Sequence, residues 1–375
     1  MIIRRLHVEN FRNYQQADIE WHEQINLLTG LNAQGKSNLL EAVCYLSLAT
    51  SFRAATEQEL LNRSAPHFYV EGAIFSAFRG EFAISAAYDR AKNKRWRVDG
   101  QEQQRKSDVV GQFHTVIFSP EDIDLVKAGP AERRRFLNRQ ISQLYPEHCR
   151  HLLRYNKILA QRNSFLRQLA GGVSSASRAE ETLEIWDKQL TELGGMILWQ
   201  RRQVLQQLTP LAMELHAQLS GGEQLSMRYK SFTGAMEAAT VKELRELFSA
   251  ELKRLRATEI LRGATLVGPH RDDIIIAIGG EIAKSYASQG QQRTAALALK
   301  LAELKLARQH KGEWPVLLLD DVLSELDERR RQGLLRHISG QTQTFITATQ
   351  TEPGLPAARI WHIENGTIKE AIDNG

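Results

Sequence analysis

The period of the apolar positions changes several times along the chain, and each change marks an element. From Ile2 to Glu20 apolar residues alternate in part through Ile3, Leu6, Val8, Phe11 and Tyr14, which predicts a strand pair entering the sheet ahead of residues 30–37. Ile25, Leu27 and Leu28 form a short apolar run, the signal of a buried strand, and in residues 38–48 Leu39, Val43 and Leu46 recur on one helical face. Residues 68–88 and 95–98 read as short strands broken at Gly72, Gly80 and Asp99-Gly100, the last a favoured hairpin turn. A small β-rich lobe is therefore predicted, followed by another apolar strand at 115–118.

At Gly129-Pro130-Ala131-Glu132 the texture changes to a stop followed by a proline-first helix start, and most of the chain to about Ile260 is predicted helical. Leu152, Tyr155, Leu159, Leu166 and Leu169 recur at seam spacings, as do Leu183, Leu190, Ile197, Val204 and Leu211 at every seventh residue. The linker Gly171-Gly172-Val173-Ser174-Ser175 lets these helices fold back as a short antiparallel pair. Gln200, Gln207, Gly194-Gly195 and Pro210 weaken the seam and argue against a long rod. A third helix at 241–256 aligns Val241, Leu244, Phe248, Leu252 and Leu255. From Ala264 the α/β texture returns: a hairpin at 273–286 around Gly279-Gly280, a helix at 294–309, and an apolar strand ending in Asp320-Asp321.

Length agrees with this division, since 375 residues exceed the roughly 250 to 300 at which one core stops growing. The expected units are a head at 1–128 that includes the β-rich lobe, a helical insertion at 129–262, and the rest of the head at 263–375. The composition, 42% hydrophobic and 25% charged, is that of a soluble globular protein. No apolar run approaches the roughly 20 residues that span a bilayer, and Arg4 and Arg5 come too early for a signal peptide, so a cytoplasmic protein without a membrane partner is expected. Cys44 and Cys149 provide no disulfide framework. The net charge of +5 is unevenly spread: residues 131–170 carry nine Lys and Arg against Glu132 and Glu147, and a second cluster runs from Arg90 to Lys106. Such stripes suit the phosphates of a polyanion as well as they suit a solvated helix face. Few aromatic residues interleave the first stripe, which favours duplex backbone contact over stacking on single strands.

The sharpest chemistry lies in Gly30-Leu31-Asn32-Ala33-Gln34-Gly35-Lys36-Ser37, which fits G-x-x-x-x-G-K-[ST] without mismatch between a predicted strand and a predicted helix. The two glycines let the backbone wrap close enough for successive N–H groups to meet phosphates, and the following helix adds the positive end of its dipole. Lys36 is expected to hold the β- and γ-phosphates, and Ser37 a bridging Mg²⁺. Asp320, at the carboxyl end of its strand, is expected to hold the Mg²⁺ directly or through water, and Asp321 to orient the attacking water.

These pieces, in this order and with Ser288-Gln289-Gly290-Gln291-Gln292 before the carboxylate strand and Ser324-Glu325-Leu326-Asp327 after it, resemble an ABC-type ATPase head. Four further stretches narrow the resemblance to the RecF family, related to SMC and Rad50 heads: Val8 to Tyr14, Ser119 to Asp122, Arg133 to Leu137, and Gly268 to Asp273. The implied fold is α/β, a mixed sheet with a phosphate loop plus an inserted, mostly helical lobe. The implied cofactors are ATP and Mg²⁺, with Arg12, Asn13, Asn32 and Asn38 joining Gly30, Gly35, Lys36 and Ser37 around the nucleotide. Ser288, Gly290 and Gln291 would be the signature that completes the site of a second copy in an ATP-gated homodimer. The resemblance further implies DNA repair and replication restart: binding of gapped DNA at single-strand/duplex junctions, with Arg133, Arg134, Arg135 and Arg139 on the phosphates, RecO and RecR as partners, and RecA loading as the outcome. A transporter ATPase subunit or an ABC-headed nuclease is the alternative.

Leu219-Ser220-Gly221-Gly222-Glu223-Gln224 copies the usual ABC signature more literally, yet alternating Leu225, Met227 and Tyr229 follow it, so it reads as a turn. Three departures from the ABC pattern stand out. Asp321 replaces the usual glutamate, which predicts slow hydrolysis and a switch rather than a motor. Residues 344–349 carry no switch histidine, and Ser119 to Asp122 no loop glutamine. His270 and Arg271 are either substitutes for these groups or part of a turn leading into the strand at Asp273.

Overall fold

In the computed structural model, the described residues are 1–171, 176–338, 340–350, 355 and 358–374. The alternation at the start becomes β1 (Ile2–Phe11) and β2 (Tyr14–Glu20); β3 (Ile25–Thr29) then leads through the phosphate loop into α1 (Lys36–Leu48). The β-rich segment gives β4 (His67–Ser76), β5 (Gly80–Asp89), β6 (Lys94–Val98) and β7 (Gln101–Gln103), and the next apolar run gives β8 (Thr115–Phe118). The helical region contains α2 (Asp124–Lys127), α3 (Pro130–Leu144), α4 (Pro146–Ala170), α5 (Ala176–Ser220), β9 (Leu225–Lys230) and α6 (Val241–Arg262). The chain continues with β10 (Asp273–Ile278), β11 (Glu281–Ile282), α7 (Ala283–Tyr286), α8 (Gln289–Lys311), β12 (Val316–Asp320), α9 (Glu328–Ile338), β13 (Thr344–Thr347), β14 (Ala358–Glu364) and β15 (Thr367–Asn374).

Two compact units form. The first joins residues 1–123, 211–223 and 293–375; the second joins 124–210 and 224–292. These boundaries differ from those expected at 129 and 262. The later one moves because β10 pairs along its full length with β9, from Asp273↔Lys230 to Ile278↔Leu225, which keeps residues beyond 263 with the helices.

The first unit carries two six-stranded sheets. One is antiparallel, in the order β2-β1-β4-β5-β6-β7; the other runs β15-β14-β3-β13-β12-β8, with β14, β3, β13, β12 and β8 mutually parallel and β15 antiparallel at the edge. The opening strand pair therefore belongs to a different sheet from β3. In the parallel sheet β3, β12 and β13 are buried throughout, which explains their unbroken apolar runs. β4 passes straight through Gly72 rather than breaking there, since Gly72 pairs with Leu6 on one side and Ile84 on the other; the glycine makes room for Leu46, which would lie 2.8 Å from a Cβ.

In the second unit Tyr155 and Ile158 of α4, Leu190, Leu193 and Ile197 of α5, and Phe248 and Leu252 of α6 make one buried cluster with Val267. The periodic positions thus pack as a three-helix core. α5 runs 45 residues through Gly194-Gly195 and Pro210, longer than the weakened seam predicts. Gly194 is not a flaw in it, since a Cβ there would lie 2.5 Å from the Phe248 ring. Most of the expected linker, residues 172–175, lies outside the described residues. The hairpin expected over 273–286 keeps only a two-residue second strand before α7 begins.

Candidate nucleotide site and basic surfaces

The phosphate loop sits where the sequence places it, between buried β3 and α1. Gly30 (φ 142°) is required by a close approach: a Cβ would lie 2.3 Å from the Ile363 carbonyl oxygen. Gly35 caps α1 with no side-chain hydrogen bond, which leaves the first N–H groups of the helix open to an anion. Lys36 is buried, and its Nζ donates to the carbonyls of Gly30 at 2.6 Å and Leu31 at 2.8 Å. Burial lowers its pKa, opposed by the charges of Asp321 and Asp320. Asn32 stands exposed in the loop.

Ser37 and Asp320, far apart in sequence, meet: Ser37 Oγ donates to Asp320 Oδ1 at 2.5 Å. The same carboxylate oxygen accepts from Thr347 Oγ1 at 3.0 Å, and Thr347 Oγ1 in turn accepts the Asp321 N–H at 2.8 Å. Burial raises the Asp320 pKa, and the Ser37 and Thr347 hydrogen bonds oppose it. A buried carboxylate beside a hydroxyl is a hard oxygen pair of the kind Mg²⁺ takes. Asp321 is exposed and left-handed (φ 55°), with Oδ1 accepting from Ser324 Oγ at 3.1 Å. Thr347 is a site residue that sequence reasoning missed. It lies in the 344–349 stretch, which carries no switch histidine, and only the pairing Asp320↔Thr347 between β12 and β13 reveals it.

The turn between β1 and β2 braces the loop. Asn13 Nδ2 donates to the Gln34 carbonyl at 2.9 Å, Asn38 Nδ2 donates to Asn13 Oδ1 at 2.8 Å, and Tyr14 OH donates to the Gly35 carbonyl at 3.1 Å. Arg12 donates through Nε and Nη2 to both oxygens of Glu41 at 2.8 Å and through Nη1 to the Glu59 carbonyl. Three of its five N–H donors thus brace the framework around the loop. Glu41 is fully buried in α1, a partner that only a fold reveals.

Ser288 and Gln291 form a reciprocal capping pair at the start of α8: the Gln291 N–H donates to Ser288 Oγ at 3.3 Å and the Ser288 N–H to Gln291 Oε1 at 2.9 Å. The helix begins at Gln289, so Gly290 lies in its first turn. The literal copy of the signature is a turn, as its sequel predicts: α5 ends at Ser220, Gly221 and Gly222 have positive φ, and β9 follows. His270 hydrogen-bonds Tyr155 OH at 2.8 Å and Arg271 donates to the Thr265 carbonyl at 2.9 Å, so both serve the turn into β10. Burial lowers the His270 pKa to about 4.

The basic stripe separates into different classes. Arg133 is buried, donating to both oxygens of Asp273 and to the carbonyls of Leu125 and Ala128, so it is withdrawn from the expected phosphate contacts. It points inward because α3 packs that face toward the start of β10. Arg134 is half-buried and donates to the Asp272 carbonyl at 2.7 Å. Arg139 is half-buried, and Arg135 is exposed with Glu132 3.0 Å away. Arg162 is buried between Asp187 and Glu259. In the second cluster Arg90 donates to the carbonyls of Ala65 and Arg63 and Lys94 pairs with Glu57, while Lys92, Arg95 and Arg97 are exposed.

Among the described residues no helix is long and apolar enough to cross a membrane. Residues 2–366 match the family described as the RecF/RecN/SMC N terminal domain. The chain is 40% identical over 375 residues to the DNA replication and repair protein RecF of Halalkalibacterium halodurans, covering 99% of this chain and all of that one. It is 38% identical to RecF of Bacillus subtilis, covering 98% of this chain and all of that protein. A solved structure of the recombination mediator protein RecF-ATPrS in the RecFOR pathway superposes with a TM-score of 0.92 at 38% identity, covering 100% of this chain and 98% of that one. An SMC head bound to the C-winged helix domain of ScpA, at a TM-score of 0.57 and 14% identity over 100% of this chain and 98% of that one, shares the fold. With the head fold, the phosphate loop and the Ser37–Asp320 pair in place, the chain belongs to the RecF family of DNA replication and repair proteins.

Proposed function

We propose that the protein binds ATP with Mg²⁺ at Gly30 to Ser37, hydrolyses it slowly, and uses the bound nucleotide to close two copies on DNA during repair and replication. The observation that carries the reading is the 2.5 Å contact between Ser37 and Asp320, which brings the phosphate loop to the strand that ends at Asp320 and is followed by Asp321. The relatives named RecF, one of them described as RecF-ATP, support the same assignment. Ser37 and Asp320 would hold the Mg²⁺, which when bound neutralises charge on the phosphates.

The rest is the work of this chain's own groups. Lys36 exchanges the carbonyls of Gly30 and Leu31 for phosphate oxygens, and burial keeps that exchange out of competition with bulk water. Asp321 accepts a hydrogen bond from the water that attacks the terminal phosphorus as the bond to the leaving oxygen breaks. Its backbone is pinned by Thr347, but its side chain is one methylene shorter than glutamate, so turnover is slow. In the dimer, Ser288, Gly290 and Gln291 of one copy face the nucleotide of the other. Arg134, Arg135 and Arg139 contribute to DNA phosphate contacts, and RecO and RecR join on gapped DNA to help load RecA. A mobility shift with gapped and duplex DNA, with and without ATP, tests the reading: ATP-dependent retention of gapped DNA is expected, and ATP-independent or absent binding contradicts it.

A further inference from the structure

Gln34, the residue before the second glycine of the phosphate loop, is gripped from two sides. Its carbonyl accepts from Asn13 Nδ2 at 2.9 Å and from the Gly366 N–H at 2.9 Å, and its side-chain Oε1 accepts the Asn365 N–H at 2.7 Å. Asn365 (φ 49°) and Gly366 (φ 70°) form the tight turn joining β14 to β15, with the two positive angles that a type I′ turn needs. Two successive N–H groups of one turn therefore hold one residue of the loop.

The grip fixes a direction. In a trans peptide the C=O and the following N–H point to opposite sides, so holding the Gln34 carbonyl outward turns the Gly35 N–H to the inner side of the loop. That is the side on which such loops present N–H groups to phosphate. The fit leaves no slack, because a Cβ on Gly366 would stand 2.4 Å from the Asn13 carbonyl oxygen. β14 also backs the start of the loop through Ile363, against which Gly30 is packed.

We propose that the Asn365-Gly366 turn is a positioning element of the nucleotide site, setting the Gly35 N–H for the phosphates of a nucleoside triphosphate. The inference rests on the ATP reading. Gly366→Ala pushes the turn off Asn13 and loosens the hold on Gln34. Gly100→Ala is the matched control: Asp99 (φ 50°) and Gly100 (φ 76°) form a similar turn in the antiparallel sheet, and nothing lies within 4 Å of a Cβ there. Titration of the full chain with a fluorescent ATP analogue, alongside melting without nucleotide, separates the effects. Both variants are expected to melt a few degrees lower from backbone strain, while only Gly366→Ala binds the analogue more weakly, by about tenfold. Gly366→Ala binding within twofold of Gly100→Ala overturns the proposal. Should Gly366→Ala not fold, Gln34→Leu decides: it keeps the main chain and removes only the acceptor of Asn365, and a loss of about threefold is expected, against no change if the turn plays no part. Absence of binding by the unmodified chain would instead overturn the nucleotide reading itself.

Discussion

Ser37 Oγ donates a hydrogen bond to Asp320 Oδ1 at 2.5 Å, and this contact joins two stretches that sequence alone connects only by analogy. The hydroxyl already points at the carboxylate with which it would share a cation. Removing either group should therefore separate metal dependence from folding.

Lys36→Ala removes the donor proposed for the phosphates. A charge-assisted hydrogen bond contributes about 1.5 to 3 kcal/mol, so ATP affinity should fall by roughly tenfold to a hundredfold or more. The melting temperature without ATP should move little, since the two carbonyls that Lys36 holds lie in the loop itself. Isothermal titration checks the first outcome, calorimetric melting the second.

Thr347→Val preserves shape while withdrawing one donor from Asp320 and the acceptor of the Asp321 N–H. Leaving the Asp321 N–H unpaired costs about 1 to 3 kcal/mol, and ATP turnover should fall while its Mg²⁺ requirement rises. Thr347→Ser should restore both. Turnover measured across a Mg²⁺ series tests the pair of variants.

Arg133 and Arg135 should behave oppositely despite their adjacency in the stripe. Arg133→Ala strands Asp273 in a largely buried setting and should cost about 3 to 5 kcal/mol of stability. Arg135→Ala exposes nothing and should change stability by less than about 0.5 kcal/mol, while lowering the salt slope of DNA binding by about 0.9. Urea unfolding and binding across a salt series distinguish them.

Stability should fall on acidification. Burial lowers the pKa values of His114 and His148 to about 3 and of His270 to about 4, against about 6.5 when unfolded. The unfolded chain then takes up protons that the folded chain refuses, so the stability present above pH 6.5 is lost progressively toward pH 4, at about 1.4 kcal/mol per pH unit for each histidine. Asp272, raised to about 6 by burial, works the other way and offsets one of the three below pH 6. His114→Gln should flatten the pH dependence of the urea midpoint by one histidine's share.

What the sequence made legible was local. The phosphate loop, the strand ending at Asp320 and the helical seams through Leu190 and Phe248 are spacing patterns, and spacing survives folding. The stretches at Ser288 and Ser220 could be told apart because a helix follows one and alternation the other. What stayed hidden depends on neighbours distant in sequence: Thr347 becomes a site residue only because β13 lies beside β12, and Arg133 turns inward only because Asp273 waits there. The Asn365-Gly366 turn had a signal, the Asn-Gly pair between two runs, but its hold on Gln34 could not be read from it.

If ATP held by Lys36 and Ser37 of one copy is completed by Ser288 of another, two inactive variants should rescue each other when mixed. Lys36→Ala and Ser288→Arg homodimers each contain two broken sites, whereas a mixed dimer gathers both lesions into one site and leaves the other intact. With random exchange about half of the dimers are mixed, so roughly a quarter of the normal ATP turnover should return when the variants are combined at equal concentration. Turnover that stays at the level of the separate variants, or Ser288→Arg that hydrolyses ATP normally alone, would contradict the account.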